Sequence, residues 1–204
     1  MNINEYSNLS KIIAAYLKLD FQTDVMTRLA NSKDNNFRSV CFISDEYSEY
    51  CTETDCNFFS QSREAKCINI VATQSYTSLL NTLHDQSAVN VIIQNLINKL
   101  WFRSDDIFTI ENAQKQIGKE DKEKISRGIS ENAKETVYSY FTNSLNSKNS
   151  NISETITTTL QNDFVYDTNF FTRHLTNFHC LSFLSTGTEI IPPSELKLFP
   201  YFNN

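Results

Sequence analysis

Two apolar runs constrain this chain more than anything else in it. The first, VCFIS at Val40–Ser44, runs straight into Asp45 and Glu46; the second, within CINIVATQS, ends at Gln74. A short apolar run bounded by turn residues is the pattern of a buried strand. The stretch around Phe58 to Ala65 between the runs has the pattern of a short helix. Strand, helix and strand within about 30 residues form a right-handed βαβ unit with parallel strands. Parallel strands end on one edge of the sheet, where α/β proteins bind ligands. The spacing therefore predicts that Asp45, Glu46 and Gln74 lie close together.

The flanking segments supply helices. Leu9, Ile12, Ile13, Tyr16, Leu17 and Ala30 recur at three- and four-residue spacings with Lys11, Lys18 and Asp24 between them, which predicts a long amphipathic helix. SYTSLLNTL and AVNVIIQNLINKL also read as helices, followed by a short strand near Leu100 to Arg103. Asp105 or Asp106 is placed to cap the helix DIFTIENAQKQI, and Gly118 to end it. KEDKEK reads as a solvated helix face. Ala133, Val137, Phe141 and Leu145, spaced by fours, predict a further helix. A polar loop is expected over about 142–159, where Asn, Ser and Thr dominate without apolar rhythm. TNFFTRHL reads as helix and FHCLSFLS as buried strand; the two prolines of EIIPPSELKLF confine that segment to an edge. With three glycines and three prolines in 204 residues, the chain has too few turn formers for an all-β sandwich. An α/β fold, with a mostly parallel sheet flanked by helices, is the expectation.

Composition closes several routes. The net charge of -6 lacks the basic field of non-specific nucleic-acid binders, so any DNA contact is local or shared with partners. The five cysteines form no C-x-x-C pair and are odd in number, which argues for free thiols and a reducing compartment. His174, His179 and Cys180 match no common zinc spacing. No run approaches the roughly 18 apolar residues needed to cross a bilayer, and the N-terminus lacks the layout of a signal peptide.

Two carboxylates at a strand end are what nucleotide hydrolysis uses: the first holds Mg²⁺ and the second polarises the attacking water. A polar residue at the next strand tip, here Gln74, is placed to sense the terminal phosphate. A strand running out into solvent also often ends in charge, so the pair alone carries little. Around it, however, SDEY, SREAKCINIVATQSYTSL, QNLINKLWFRSDD and AQKQIGKEDKEKIS, preceded by LSKIIAAYLKLDFQ, resemble the C-terminal part of the RecA-like motor of type IV secretion coupling proteins, the TraG/TraD class. The resemblance spans roughly residues 1–130 in order, with the C-terminal strand region completing one domain over 1–204.

The resemblance implies a partial RecA-like three-layer fold and a ring-forming, hexameric ATPase. Such a motor passes single-stranded DNA, or a relaxosome nucleoprotein, to a type IV secretion channel at the inner face of the cell membrane. It implies Mg²⁺ and ATP as cofactors, Asp45 on the metal side, Glu46 as the hydrolytic carboxylate and Gln74 as the sensor. Arg63 in SREAK matches the arginine that such motors insert into a neighbour's site; the alternative is a surface residue pairing with Glu49 or Glu53. Trp101 and Phe102 beside Arg103 either stack on bases or mark a strand entering the core.

One part of the family pattern is missing. A phosphate-cradling loop requires G-x-x-x-x-G-K-[ST] between strand and helix. The only Gly-Lys, Gly118-Lys119, has Ala113 and Glu120 where the first glycine and the hydroxyl belong. The chain is therefore expected to be a motor fragment from a truncated or split gene, inactive alone. The other readings are an interaction module that recognises a relaxosome accessory protein, and a degenerate remnant.

Overall fold

The computed structural model describes residues 7–31, 38–133, 136–139, 144–147 and 150–199, with side chains described at 8–30, 38–129 and 154–199. The chain forms two compact units. One comprises Met1–Ile117 and Tyr166–Asn204, the other Gly118–Val165.

The first unit opens with helix α1 (Ser7–Asn31), followed by strand β1 (Val40–Ser44), helix α2 (Asp55–Gln61) and strand β2 (Cys67–Val71). β1 and β2 pair in parallel with Val40 opposite Cys67 and Ser44 opposite Val71, as the spacing predicts. Helices α3 (Tyr76–Leu83) and α4 (Gln86–Asn95) follow, then β3 (Lys99–Trp101) and α5 (Ile107–Ile117). Asp106, rather than Asp105, caps α5: its Oδ2 accepts the backbone N–H of Thr109 at 2.9 Å. Gly118 takes φ +98°, a left-handed value that suits glycine at the helix end.

The chain re-enters this unit at Tyr166, makes a wide helical turn at Phe170–His174 and finishes with β8 (His179–Ser185) and β9 (Ile190–Lys197). β8 lies between β3 and β9, antiparallel to both, so the proline-bearing strand sits at an edge. The expectation of a mostly parallel sheet needs correction. Among the described residues β1–β2 is the one parallel pairing, because the antiparallel β3, β8 and β9 form a sheet of their own.

Two apolar clusters hold the unit together. One gathers Tyr47, Phe58, Phe59, Leu79, Val89 and Ile92, onto which Phe42 of β1 packs with Phe21 and Phe58 at ring distances of 5.6 and 6.2 Å. The other gathers Trp101, Ile110, Phe171, Leu175 and Leu181. The opposite face of β1–β2 is bare: Ile43, Ile68 and Ile70 are 72%, 57% and 53% exposed, so these strands are not buried on both sides as their sequence suggests.

Helix α1 also departs from its expected orientation. Leu9, Ile12, Tyr16 and Leu17 face outwards, whereas Lys18 and Gln22 are buried. The cause is Asp55 at the start of α2, which is fully buried. It accepts Lys18 Nζ at 2.7 Å, Gln22 Nε2 at 2.9 Å and the Thr52 N–H at 3.0 Å, and the Tyr47 hydroxyl as well. A buried carboxylate needs such a complete set of donors, and supplying them turns Lys18 and Gln22 inwards beside Phe21 and Val25.

The second unit replaces the expected charged helix face, the helix through Ala133 and Leu145, and the polar loop over 142–159. Strand β4 (Lys119–Ala133) pairs antiparallel with β7 (Ser150–Phe164) along its whole length. β5 (Thr136–Ser139) pairs with β6 (Ser144–Ser147). Phe141 of the expected helix lies outside the described residues. The β-branched run in NISETITTTL favours strand, and cross-strand pairing overrides the helical spacing of the partner segment. The register places Ile125, Ile129, Ile156 and Leu160 on one face of this ribbon, each more than half exposed.

Replacing Asp55 by Ala leaves Lys18 buried without its counter-ion and should cost about 3–5 kcal/mol of stability. Breaking the exposed Lys11–Glu49 pair should cost less than about 1 kcal/mol. Urea denaturation of D55A and E49A measures both.

Candidate site at the carboxyl ends of the parallel strands

Beyond Ser44 the chain turns sharply, and backbone bonds tie that turn to the end of β2. Ala72 N–H donates to Ser44 O at 2.8 Å and Tyr47 N–H to Ala72 O at 2.9 Å. Between them Glu46 sits at φ +50°, ψ +40°, a left-handed conformation that costs a non-glycine residue energy; Lys66, His84 and Phe178 share a positive φ. Asp45 stabilises the turn by accepting the Glu46 N–H on its Oδ1 at 2.9 Å. The Tyr50 hydroxyl, shared with Ser44 Oγ at 2.5 Å, holds the Asp45 carbonyl at 2.9 Å.

The result is a direct contact between the two strand ends. Gln74 Nε2 donates to Glu46 Oε2 at 3.2 Å. Glu46 and Gln74 are both exposed, so the pair faces solvent at the edge of the sheet. Asp45 lies next to them in the chain with its carboxylate turned onto the backbone. Arg63 is not brought to this group. It follows α2 at the amino end of β2, with the length of the strand, about 17 Å for five residues, between it and the Gln74 end. Nor does Arg63 pair with Glu49 or Glu53 among the described residues; Glu49 bonds Lys11 at 2.5 Å.

A groove of about 590 Å³ opens beside these ends, between β2 and β3. Ile68, Ile70 and Gln74 line one side, and Lys99, Leu100 and Phe102 the other. Trp101 is buried, donates its indole N–H to Tyr76 Oη at 3.2 Å and packs on Phe183, which leaves Phe102 as the exposed aromatic of KLWFR. Trp101 is thus a core residue and no platform for bases.

Sequence reasoning missed the polar clamp at the end of the groove. Tyr76 N–H donates to Thr109 Oγ1 at 2.9 Å and Thr77 Oγ1 to Asp106 Oδ1 at 2.5 Å, fastening α3 to α5. Burial alone would raise the Asp106 pKa, but the hydrogen bonds from Thr109 and Thr77 outweigh it and hold this carboxyl below its ordinary value. Lys99 was missed too. Burial pushes its pKa down to about 8, and its Nζ donates only weakly, to Ile97 O at 3.4 Å.

The residues present do not fit Mg-ATP by themselves. The sheet edge offers two carboxylates and an amide, with no phosphate-binding loop to neutralise a triphosphate. His174 and His179 are engaged with Glu195 and Thr176, and no metal-binding group of side chains occurs among the described residues.

The family described as the TraM recognition site of TraD and TraG matches residues 39–163, more than half of the chain. The chain belongs to this family. Among solved structures, the bacterial conjugative coupling protein TrwBdeltaN70, in an unbound monoclinic form, matches with a TM-score of 0.56 at 11% identity. That match covers 87% of this chain and 35% of the coupling protein, and it shows a shared fold, RecA-like though with a small and only partly parallel sheet. No curated protein matches the chain. The TraG/TraD resemblance carried by SDEY and ATQS is thereby borne out at the level of family and fold. No helix among the described residues is long and apolar enough to cross a membrane.

Because Lys99 has its pKa lowered in the folded chain, the unfolded chain binds more protons between about pH 8 and the ordinary lysine value of 10.5. Lys99 therefore makes stability rise with pH across that window. Comparing wild type with K99M cancels the tyrosines and cysteines that titrate nearby. K99M should be the more stable at pH 7, with the difference shrinking towards pH 10; urea midpoints at each pH measure it.

Proposed function

We propose that this chain is the acid-and-sensor part of a conjugative coupling ATPase and carries that protein's recognition surface for a relaxosome accessory protein. The observation that carries this reading is the contact of Glu46 with Gln74 across two parallel strand ends, within a segment that belongs to the TraD/TraG family. In the composite site Asp45 takes the metal side, Glu46 the general base and Gln74 the sensor. Arg63, remote from its own chain's acids, is suited to a neighbouring subunit's site. The phosphate loop comes from the remainder of the motor, which assembles as a ring at the inner face of the membrane and moves single-stranded DNA or nucleoprotein towards a secretion channel.

Recognition of an accessory protein of the TraM kind is the reading that the family description favours, and it needs no nucleotide. It and the motor reading are separable by experiment.

The purified chain should hydrolyse Mg-ATP at background rate. Adding a polypeptide that carries the phosphate-loop part of a coupling motor should restore turnover, which E46Q should lower by about 10²-fold or more. Turnover by the chain alone that disappears in E46Q would overturn the fragment reading. Binding of purified TraM-type protein, unchanged by E46Q, is expected from the recognition surface; no binding at micromolar concentration contradicts it.

A further inference from the structure

The ribbon of β4 and β7 is a two-stranded sheet, with no third strand paired to it among the described residues. Such a ribbon is marginal in water until something covers its apolar face. Here that face is open. Ile125, Ile129, Ile156 and Leu160 are 61%, 74%, 59% and 68% exposed. The register sets Ile125 diagonal to both Leu160 and Ile156, and Ile156 diagonal to Ile129, so the four form one continuous zigzag.

The sequence writes this face twice. β4 reads Glu123-x-Ile125-x-Arg127-x-Ile129 and β7 reads Glu154-x-Ile156-x-Thr158-x-Leu160. The pairing of Ser126 with Thr157 puts the ribbon's own twofold axis through that pair, and about it Glu123 exchanges with Glu154, Ile125 with Ile156 and Ile129 with Leu160. Arg127, matched by Thr158, breaks the pattern. Glu123, Arg127 and Glu154 are exposed, and their side chains make no ion pair or hydrogen bond among the described residues. A twofold contact between copies requires a face complementary to itself. This face qualifies. Laid against a copy about an axis along the strands, it sets Arg127 beside Glu154 of the copy; about an axis across the strands, it sets Arg127 beside Glu123 of the copy.

We propose that the β4–β7 ribbon is a pairing surface for a second copy of this chain, closing two ribbons face to face into a four-stranded sandwich. The two zigzags interlock as its dry centre, each Arg127 guanidinium meets a carboxylate of the copy, and the remaining acids stay on the wet rim. Fifteen paired residues make the ribbon about 50 Å long and about 10 Å wide, so one face offers about 500 Å². That is less than the roughly 800 Å² per partner of a standard interface, which predicts a weak dimer, micromolar or weaker. The contact is closed and isologous, unlike the head-to-tail contacts that build a ring, and it needs neither nucleotide nor the rest of a motor.

Sedimentation of the whole chain from about 1 μM to about 1 mM should show a reversible equilibrium between monomer and dimer. R127E leaves only acids among the charges flanking the zigzag and should weaken the dimer by about tenfold or more; E123R/E154R leaves only arginines there and should do the same. Mixed in equal amounts, the two variants should form a heterodimer at least as tight as the wild-type dimer. In the wild type, the methyl resonances of Ile125, Ile129 and Ile156 should shift on dilution while those of Ile43, Ile68 and Ile70 stay, a readout that depends on no variant. A monomer throughout, a dimer indifferent to R127E, or dilution shifts at Ile43, Ile68 and Ile70 instead overturns the pairing. So does a mixture that stays monomeric although both variants keep the wild-type circular dichroism. Ribbon methyls that move only when a TraM-type protein is added also overturn it, because the face then belongs to that partner.

Discussion

The parallel register of β1 on β2 is the constraint on which everything else here depends. A shift of one residue would turn Phe42 away from Phe21 and Phe58 and put Ile43 into their place, so packing fixes the register strongly. With Ser44 opposite Val71, the turns beyond the two strands meet, and Glu46 reaches Gln74. The left-handed backbone at Glu46 is held by the surrounding bonds of Asp45, Tyr47 and Tyr50. The buried Asp55 node then fixes α1 against α2, with Phe21 and Val25 of α1 in the core and Leu9, Ile12, Tyr16 and Leu17 left exposed.

The same register decides what gathers at the strand ends. It delivers acids and an amide to a sheet edge, but the adjoining space is an opening lined by β2 and β3 rather than a strand leading into a phosphate loop. The uncovered Ile68 and Ile70 of β2 and the desolvated Lys99 line that opening. Membership of the TraD/TraG family and a fold shared with a conjugative coupling protein set these features in a common frame.

Much of the site was legible because strand ends follow from short, local patterns. VCFIS and CINIVATQS are unambiguous apolar runs, and right-handed crossover geometry does the rest. What failed depended on distant partners. Lys18 looks like a solvated residue until Asp55, 37 positions away, is seen to need a cation. KEDKEKIS looks like a charged helix until TTTLQNDF at Thr157–Phe164 is recognised as its cross-strand complement, and the run of β-branched residues at Ile156–Thr159 was the available signal. The bare face of β1–β2 is invisible in sequence, since an apolar strand reads the same whether or not its cover is at hand.

The most direct measurement is the side-chain amide resonance of Gln74 in ¹⁵N-labelled protein, compared between wild type and E46A. If the parallel strands hold Glu46 against Gln74, that resonance moves in E46A while the backbone amides of the ribbon at Lys119–Ile129 stay in place. A Gln74 side-chain signal that is the same in both proteins would contradict the shared edge, and with it the half-site on which the functional account is built.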